Sequence, residues 1–143
     1  MLAEKWVDKV FDVQRFSDRI IQLRLVVGKV VFTFISVYAP QAGLSEAEKD
    51  HFFAIFQCAV SKLPASEVFI PLGNWNGHIG TVGFGFEEVH GGKGFGVRNA
   101  EGKRLLEFAV ANDLFVGNTL FTKRESHLAT YCSGIHKTQI DYM

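Results

Sequence analysis

The fold predicted for this chain follows from one apolar run and the polar turn directly behind it. Val68 to Leu72 is rich in β-branched and aromatic side chains, which is typical of a short buried strand. Gly73 interrupts the run, and Asn74-Trp75-Asn76-Gly77 follows at once. Ligands of α/β proteins bind beyond the carboxyl ends of strands, so Asn74 and Asn76 are candidate site residues. A polar turn that merely caps the strand is the simpler alternative.

The segments before this run predict two strands and a helix. Ile21, Leu23 and Leu25 alternate with polar residues, and Gly28-Lys29 is suited to a type II′ hairpin turn. The apolar stretch Val30 to Val37 that follows is expected to be a strand buried on both faces. A capping box begins at Ser45, and apolar residues at helical spacing predict an amphipathic helix over 45–62. Strand, helix and strand in this order indicate an α/β fold.

The second half of the chain predicts a long loop, a helix and short strands. Eight of the 14 glycines lie in 77–96, where a flexible surface loop and a substrate-facing loop are equally open alternatives. Asn99 is placed to cap a helix with an apolar face. We predict short strands at 114–118 and 127–131 and a strand-like end at 139–143.

The length, composition and net charge of the chain limit its domain organisation and its possible partners. The 143 residues suit a single domain over 1–143, and 48% hydrophobic residues can build a real core. The formal net charge is zero, so contact with nucleic acid or membrane must be local. Met1 to Trp6 is amphipathic without a signal-peptide core, and no apolar run is long enough for a transmembrane helix. Cys58 and Cys132 are expected to be buried free thiols, and a disulfide between them is the alternative.

Five short motifs, in order, resemble those of the endonuclease/exonuclease/phosphatase superfamily, which includes DNase I and abasic-site endonucleases. They are Tyr38-Ala39-Pro40, Gly73 to Gly77, Arg98-Asn99-x-x-Gly102, Gly117-Asn118-Thr119 and Ile140-Asp141-Tyr142. The chain is similar in particular to the endonuclease domain of RTE-type non-LTR retrotransposons and to the host proteins called craniofacial development protein 2. This resemblance runs from about Ser17 to Met143.

The resemblance implies a DNase I-like four-layer α/β sandwich, in which two sheets pack face to face with helices outside. The family's amino-terminal Asn and Glu, and its carboxyl-terminal Ser-Asp-His, have no counterpart here. We therefore expect a partial domain that lacks the first and last strands. Uncovered sheet edges would then favour self-association or the binding of missing domain segments.

The resemblance also implies magnesium-dependent hydrolysis of phosphodiesters in DNA. Carried over position by position, it assigns catalysis to Tyr38, Asn74, Asn76 and Asp141, with Asn74 also at the metal position. The candidate substrate-binding residues are His78, Arg98 and Asn99, in or directly beside the motifs, together with Lys93 and Phe95, which are taken from the chemistry of the glycine-rich loop and not from the resemblance. Here Lys93 and Arg98 are suited to phosphate and Phe95 to stacking on a base.

The sequence departs from the family at Asn74, where the motif has Asp. Asn can hold a water but cannot take its proton, and losing a general base costs about 10²–10⁴ in rate. We therefore expect a weak or inactive enzyme. A non-catalytic nucleic-acid-binding or protein-interaction scaffold is the alternative, and a lipid or inositol phosphate hydrolase is disfavoured by the RTE-like segments.

The remaining expectations concern metals, partners and compartment. DNA is the expected partner and a membrane is not. A zinc site from His78, His90 and Cys132 matches no structural zinc spacing. An intracellular, nuclear location suits the family, although the sequence carries no basic localisation run.

Overall fold

The computed structural model describes residues 3–143 and contains both strands and helices. The chain divides into two compact units. The first unit contains the residues up to Ala39 together with Leu44–Leu72, and the second contains Pro40–Gly43 and Gly73–Met143. Residues 1 and 2, at the start of the predicted amphipathic N-terminus, lie outside the described residues. The prediction of a single domain over 1–143 stays a prediction.

The first unit contains an antiparallel meander of three strands. A 3-10 turn over Glu4–Lys9 leads into β1 (Val10–Ser17), which pairs with β2 (Ile20–Val27), which in turn pairs with β3 (Val30–Tyr38). The sequence of the N-terminal segment does not distinguish a short helix from an edge strand, and the structure has a 3-10 turn followed by a strand. Gly28 in the β2–β3 turn has φ +63° while Lys29 does not have a positive φ. The predicted type II′ turn has this combination of signs, so the predicted hairpin is confirmed.

Helix α1 (Glu46–Val60) follows the meander and begins at the predicted capping box. The Ser45 side chain accepts a hydrogen bond from the Glu48 amide, and the Glu48 carboxylate accepts one from the Ser45 amide at 3.0 Å. Phe52 and Phe56 on its apolar stripe are buried. The Phe56 ring lies 6.5 Å from that of Phe69 on β4 (Val68–Asn74), which places the helix against the strand that follows it.

The prediction that β3 is buried on both faces is wrong. Thr33, Ile35 and Val37 on one face are buried, but Phe32 and Phe34 on the other are only half-buried. An apolar strand sequence shows that both faces of the strand are apolar, but it does not show that both are buried. Whether each face is covered depends on a second layer, and no described residue covers the Phe32 and Phe34 face completely.

A partly buried ion pair ties β2 to Glu67, directly before β4, on the covered face. The Arg24 guanidinium makes a forked contact with the Glu67 carboxylate, with its Nε 3.1 Å from one oxygen, and the Thr33 hydroxyl donates to the same carboxylate. The Glu67 side chain is only 5% exposed. The hydrogen bond from Arg24 is the main cause that lowers the pKa of Glu67.

Apart from Pro40–Gly43, the second unit runs from the last residues of β4 to the end of the chain, and much of it is loop. It has α2 (Ala100–Ala111), the short α3 (Glu125–Leu128), the hairpin of β5 (Tyr131–Ser133) and β6 (His136–Thr138), and β7 (Asp141–Tyr142). Within the described residues the larger sheet has the order β1-β2-β3-β4-β7, and β5 and β6 form a separate pair. This mixture of sheet and helices confirms the predicted α/β class and is in keeping with an α/β sandwich.

Two of the predicted short strands are wrong. The segment 114–118 contains no strand and leads into a 3-10 turn over Gly117–Thr119. Its amides bond outside any ladder, because Val116 N–H donates to the Val89 carbonyl and Gly117 N–H to that of Met143. The segment 127–131 starts in α3, and only its last residue belongs to a strand.

The two cysteines of the chain differ from the prediction in their exposure. Cys58 and Cys132 are free thiols, as predicted, but both are exposed rather than buried. Cys58 lies on a face of α1 that points away from the core stripe, and Cys132 lies on the exposed β5–β6 hairpin. No helix in the described part of the chain is long and apolar enough to cross a bilayer.

Candidate functional site

The end of β4 is paired with β7, and this pairing brings two predicted catalytic residues together. Asn74 lies directly opposite Asp141, and Gly73 opposite Tyr142, in an antiparallel register. Directly opposed side chains share one face of a sheet with their Cβ atoms about 4.5–5.5 Å apart. The amide of Asn74 and the carboxylate of Asp141 are therefore neighbours, although 67 residues separate them in sequence.

Asn76 is tied to Asn74 by a local turn. The Asn74 Oδ1 accepts a hydrogen bond from the Asn76 amide at 2.8 Å, and Asn76 has φ +48°. This is an Asx turn, a conformation that asparagine adopts at low cost because its side chain replaces a backbone acceptor. The polar turn expected from the sequence is therefore present, and it holds Asn76 close to the Asn74 and Asp141 pair.

Asn99 at the start of α2 clamps the loop that follows this turn. Its Oδ1 accepts hydrogen bonds from the His78 amide at 2.9 Å and the Gly102 amide at 2.8 Å, while its own amide donates to the His78 carbonyl at 3.0 Å. A Cβ at Gly102 would lie 1.8 Å from the His78 oxygen. Residue 102 must therefore be glycine for the loop to lie against the helix. Asn99 caps α2, as predicted, and its substrate contact stays a prediction.

The Arg98 guanidinium is engaged by the loop that precedes it. It donates to the carbonyl oxygens of Ile79 at 3.0 Å, Phe84 at 3.0 Å and Val82 at 2.8 Å. It also lies 4.8 Å from the centre of the Phe86 ring. These contacts hold a loop of otherwise irregular backbone in one conformation. Sequence reasoning assigned Arg98 to phosphate, which stays a prediction, and missed this second role because carbonyl contacts leave no trace in a motif.

The glycine-rich segment 77–96 is closed upon itself by backbone hydrogen bonds. Thr81 N–H donates to the Gly96 carbonyl at 3.0 Å and Gly94 N–H to that of Thr81 at 3.1 Å, beside an isolated bridge between Gly80 and Phe95. Lys93 is exposed beside the paired ends of this segment, and Phe95 is half-buried. The structure therefore leaves the Lys93 ammonium accessible to an anionic ligand.

His90 supports the same segment from within. It is 3% exposed. Its Nδ1 accepts from the Gly92 amide at 3.0 Å, so its Nε2 carries the proton that faces the Gly80 carbonyl at 3.2 Å. Burial lowers the pKa of this imidazole. His90 is thus a neutral structural residue, and no group of three His, Cys, Asp or Glu side chains within residues 3–143 is arranged to hold a metal.

Asn118 is the residue near Asp141 that sequence reasoning left without a role. Its Nδ2 donates to the Asp141 carbonyl at 3.2 Å and its Oδ1 accepts from the Met143 amide at 2.9 Å. The Thr130 hydroxyl accepts from the Asp141 amide at 3.2 Å. The backbone of Asp141 is therefore fixed on both sides. The Gly117-Asn118-Thr119 match was the signal that could have pointed to this contact.

Tyr38 lies in the first unit, whereas the other predicted site residues lie in the second. It ends β3 with 43% of its surface exposed, and the Arg19 guanidinium stands 5.3 Å from the centre of its ring. Arg19 also donates to the Tyr38 carbonyl at 3.3 Å. Both residues line a small cavity of about 220 Å³ in that unit.

The residues present do not fit a preformed magnesium site. Magnesium prefers one or two carboxylates together with water and phosphate. The neighbouring predicted ligands Asn74 and Asp141 offer one carboxylate and one amide oxygen, and that amide oxygen already accepts the Asn76 N–H. Replacing a carboxylate with an amide removes the negative charge that would draw a divalent cation to this pair.

Sequence comparison relates the chain to named proteins. It is 33% identical over 129 residues to craniofacial development protein 2 of Bos taurus and of Tragulus javanicus, an alignment that covers 89% of this chain. No protein-family model matches the chain. The chain spans 22% of the length of the curated relatives it matches. The predicted resemblance to craniofacial development protein 2 is thus confirmed over this stretch, and the chain is homologous there to about a fifth of that protein.

Proposed function

We propose that this chain is an endonuclease-like domain of retrotransposon descent that binds DNA and whose phosphodiesterase activity is reduced at Asn74. The observation that carries the proposal is the pairing of Asn74 with Asp141, with Asn76 tied to the same turn. Asn74 and Asn76 belong to one motif of the endonuclease resemblance, Gly73 to Gly77, and Asp141 belongs to another. Their meeting at the end of one strand pair is what a shared reaction site would require.

The chemistry of the pair explains the reduced activity. Hydrolysis of a phosphodiester needs a group that takes a proton from the attacking water and a cation that offsets charge on the phosphate. Asn74 supplies neither the proton acceptor nor the charge for a cation. Asp141 is the carboxylate that remains, and Asn118 and Thr130 hold its backbone in place.

The test is magnesium-dependent nicking of supercoiled plasmid by the chain and by its Asn74→Asp form. The substitution places two carboxylates on paired residues, so we expect nicking to rise by about 10²–10⁴ and magnesium binding to become measurable by calorimetry. Gln57→Glu on the exposed face of α1 is the control, because it adds the same charge outside the predicted site. It should leave nicking at the level of the unchanged chain.

A second variant tests whether the gain depends on the proposed pair. Asp141→Asn in the Asn74→Asp background should abolish the gain in nicking. A gain that survives this second change would assign the activity to other residues or to a contaminating nuclease. If Asn74→Asp melts at the same temperature as the unchanged chain but neither nicks DNA nor binds magnesium, the proposed chemistry is wrong.

A non-catalytic binding domain is the second candidate. It is favoured by the carboxylate-poor pair and by the exposed Lys93 in the glycine-rich segment. Binding to phosphates weakens with salt, and each lost phosphate contact lowers the slope of log K against log salt by about 1. Lys93→Ala should lower this slope for duplex DNA, whereas Lys62→Ala, another exposed lysine outside the predicted site, should not. An unchanged slope with Lys93→Ala would remove Lys93 from the DNA contact.

A further inference from the structure

Strand β7 is two residues long and is the last strand in the sheet order of the described residues. On its inner edge the Trp75 N–H donates to the Ile140 carbonyl at 2.7 Å. The backbone groups of successive residues in a strand point to opposite edges, so those of Asp141 point to the outer edge, away from β4. Asn74 and Asp141 therefore form a non-hydrogen-bonded pair, in which opposed Cα atoms are only about 4.5 Å apart.

The side chain of Asn118 takes the place of a neighbouring strand on this outer edge. Its Nδ2 donates to the Asp141 carbonyl at 3.2 Å, and its Oδ1 accepts from the Met143 amide at 2.9 Å. The Gly117 N–H adds a bond to the Met143 carbonyl at 2.7 Å. A side-chain amide carries a donor and an acceptor side by side, so one asparagine holds two alternate residues of the strand at a fixed separation.

We propose that Asn118 is a positioning residue that fixes where the Asp141 carboxylate stands relative to residue 74 during phosphodiester hydrolysis. This inference rests on the proposed function. Asn118 bonds to the backbone of the strand and acts through Asp141 rather than on the substrate. A reacting group misplaced by about 1 Å can cost about 10²-fold in rate. Asn118 therefore affects the chemical step and leaves the affinity for DNA unchanged.

The contact of Asn118 contributes more to the position of the strand than to the stability of the fold. Asp141 is half-buried and Met143 is 59% exposed, so water reaches this edge. Water can bond to the groups that a shortened side chain would free, and such an exchange of hydrogen bonds has a small net cost. Mobile water does not hold the carbonyl of Asp141 and the amide of Met143 at a fixed separation. The chain should therefore fold without this side chain, with a less restricted Asp141.

The kinetics of plasmid nicking by the Asn74→Asp form test the effect on the reaction. Adding Asn118→Ala should lower kcat by about 10- to 10²-fold and leave KM for the plasmid unchanged, as expected for a group needed only in the chemical step. Asn112→Ala is the matched control, because Asn112 donates to the Phe108 carbonyl at 2.9 Å in the same unit and should change neither constant. A raised KM with an unchanged kcat would assign Asn118 to binding and overturn the proposal.

A second measurement does not depend on activity and uses the chain with Asn74 unchanged. In nuclear magnetic resonance spectra, Asn118→Ala should shift the resonances of the Asn74 side-chain amide and the Asp141 carboxylate, whereas Asn112→Ala should not. Resonances that stay in place would overturn the positioning role, whatever the nicking assay gives. Shifted resonances together with an Asn74→Asp form that cuts no DNA would instead refute the proposed function and leave the placement of Asp141 by Asn118 standing.

A thermal melt of each variant separates a displaced Asp141 from lost folding. If Asn118→Ala fails to fold, Asn118→Asp decides, because it has the same size and keeps the acceptor for the Met143 amide. It loses only the donor to the Asp141 carbonyl, so kcat and the resonances should change in the same direction as for alanine. A folded Asn118→Asp form with an unchanged kcat and unchanged resonances would overturn the proposal.

Discussion

The β1–β3 meander and the glycine-rich segment 77–96 are held in place by different physical means. The meander depends on a regular ladder of backbone hydrogen bonds and on apolar burial of one face. Many similar contacts each contribute a small part of its stability. The glycine-rich segment depends on single polar side chains, chiefly Arg98, Asn99 and His90, each of which satisfies several backbone groups at once. A single substitution should therefore do more damage in the second region than in the first.

The largest expected effect comes from Gly102→Ala. A Cβ there would lie 1.8 Å from the His78 oxygen, so α2 and the clamped loop must move apart, and we expect a loss of about 3 kcal/mol in the free energy of unfolding. Helix propensity alone predicts the opposite sign, since alanine is the better helix former. Chemical denaturation measures the change.

Two other glycines sharpen this comparison. Gly28→Ala in the meander meets no atom within 4 Å, so only its φ of +63° is strained, and the cost should be about 1 kcal/mol. Gly43→Ala has open space and no positive φ, so its effect should stay within about 0.5 kcal/mol. Equal losses for Gly102 and Gly28 would show that the loop is not clamped against α2.

The second largest expected effect is the loss of stability on replacing Arg98 compared with Arg15. Arg98→Ala removes donors from three carbonyl groups of the loop, so we expect a loss of about 2 kcal/mol. Arg15 on β1 makes an exposed ion pair with Asp18 at 2.8 Å, and Arg15→Ala should cost less than about 0.5 kcal/mol. Hydrogen exchange should also show faster exchange confined to residues 79–86 in Arg98→Ala. Similar costs for the two arginines would refute the structural role of Arg98.

The smallest effect is a difference in acid sensitivity. His90 and Glu67 both have folded pKa values below their ordinary values of 6.5 and 4.5, so each stabilises the fold above its ordinary pKa. As the pH falls, the unfolded chain takes up the proton first, and this stability is lost. Protection of the Gly92 amide should therefore fall below pH 6.5, while the meander should weaken only below pH 4.5.

Amide exchange measured across this pH range checks the order of the two transitions. His51→Gln is the control, since His51 is exposed on α1 and its removal should leave the loss of Gly92 protection unchanged. Simultaneous loss of protection in both regions would mean that they open as one cooperative unit.

The elements that were predicted correctly are those whose signals are local. The β2–β3 hairpin depends on alternation and on Gly28, and α1 depends on the capping box at Ser45 and its apolar spacing. Asn99 as a helix cap belongs to the same group. Each of these signals involves residues within one or two turns of one another, which is why sequence reasoning could find them.

The predictions that went wrong depend on distant partners. The segment 114–118 has strand-like residues, yet its amides bond to Val89 and Met143 rather than to a neighbouring strand. Cys58 was expected inside, but the position of α1 turns it outward. The predicted burial of both faces of β3 is wrong for the same reason, because the sequence of a strand does not determine which other segments cover it.

For the candidate site, local sequence was enough to nominate Asn74 and Asn76, because an abrupt polar turn after an apolar strand is visible in the order of residues. The meeting of Asn74 with Asp141 needed the β4–β7 register, a contact across 67 residues. The carbonyl contacts of Arg98 and the close approach of Gly102 to His78 needed the packed loop. Periodicity and capping are encoded within a few residues, whereas pairing, coverage and close contacts between backbones arise only when distant segments are packed together.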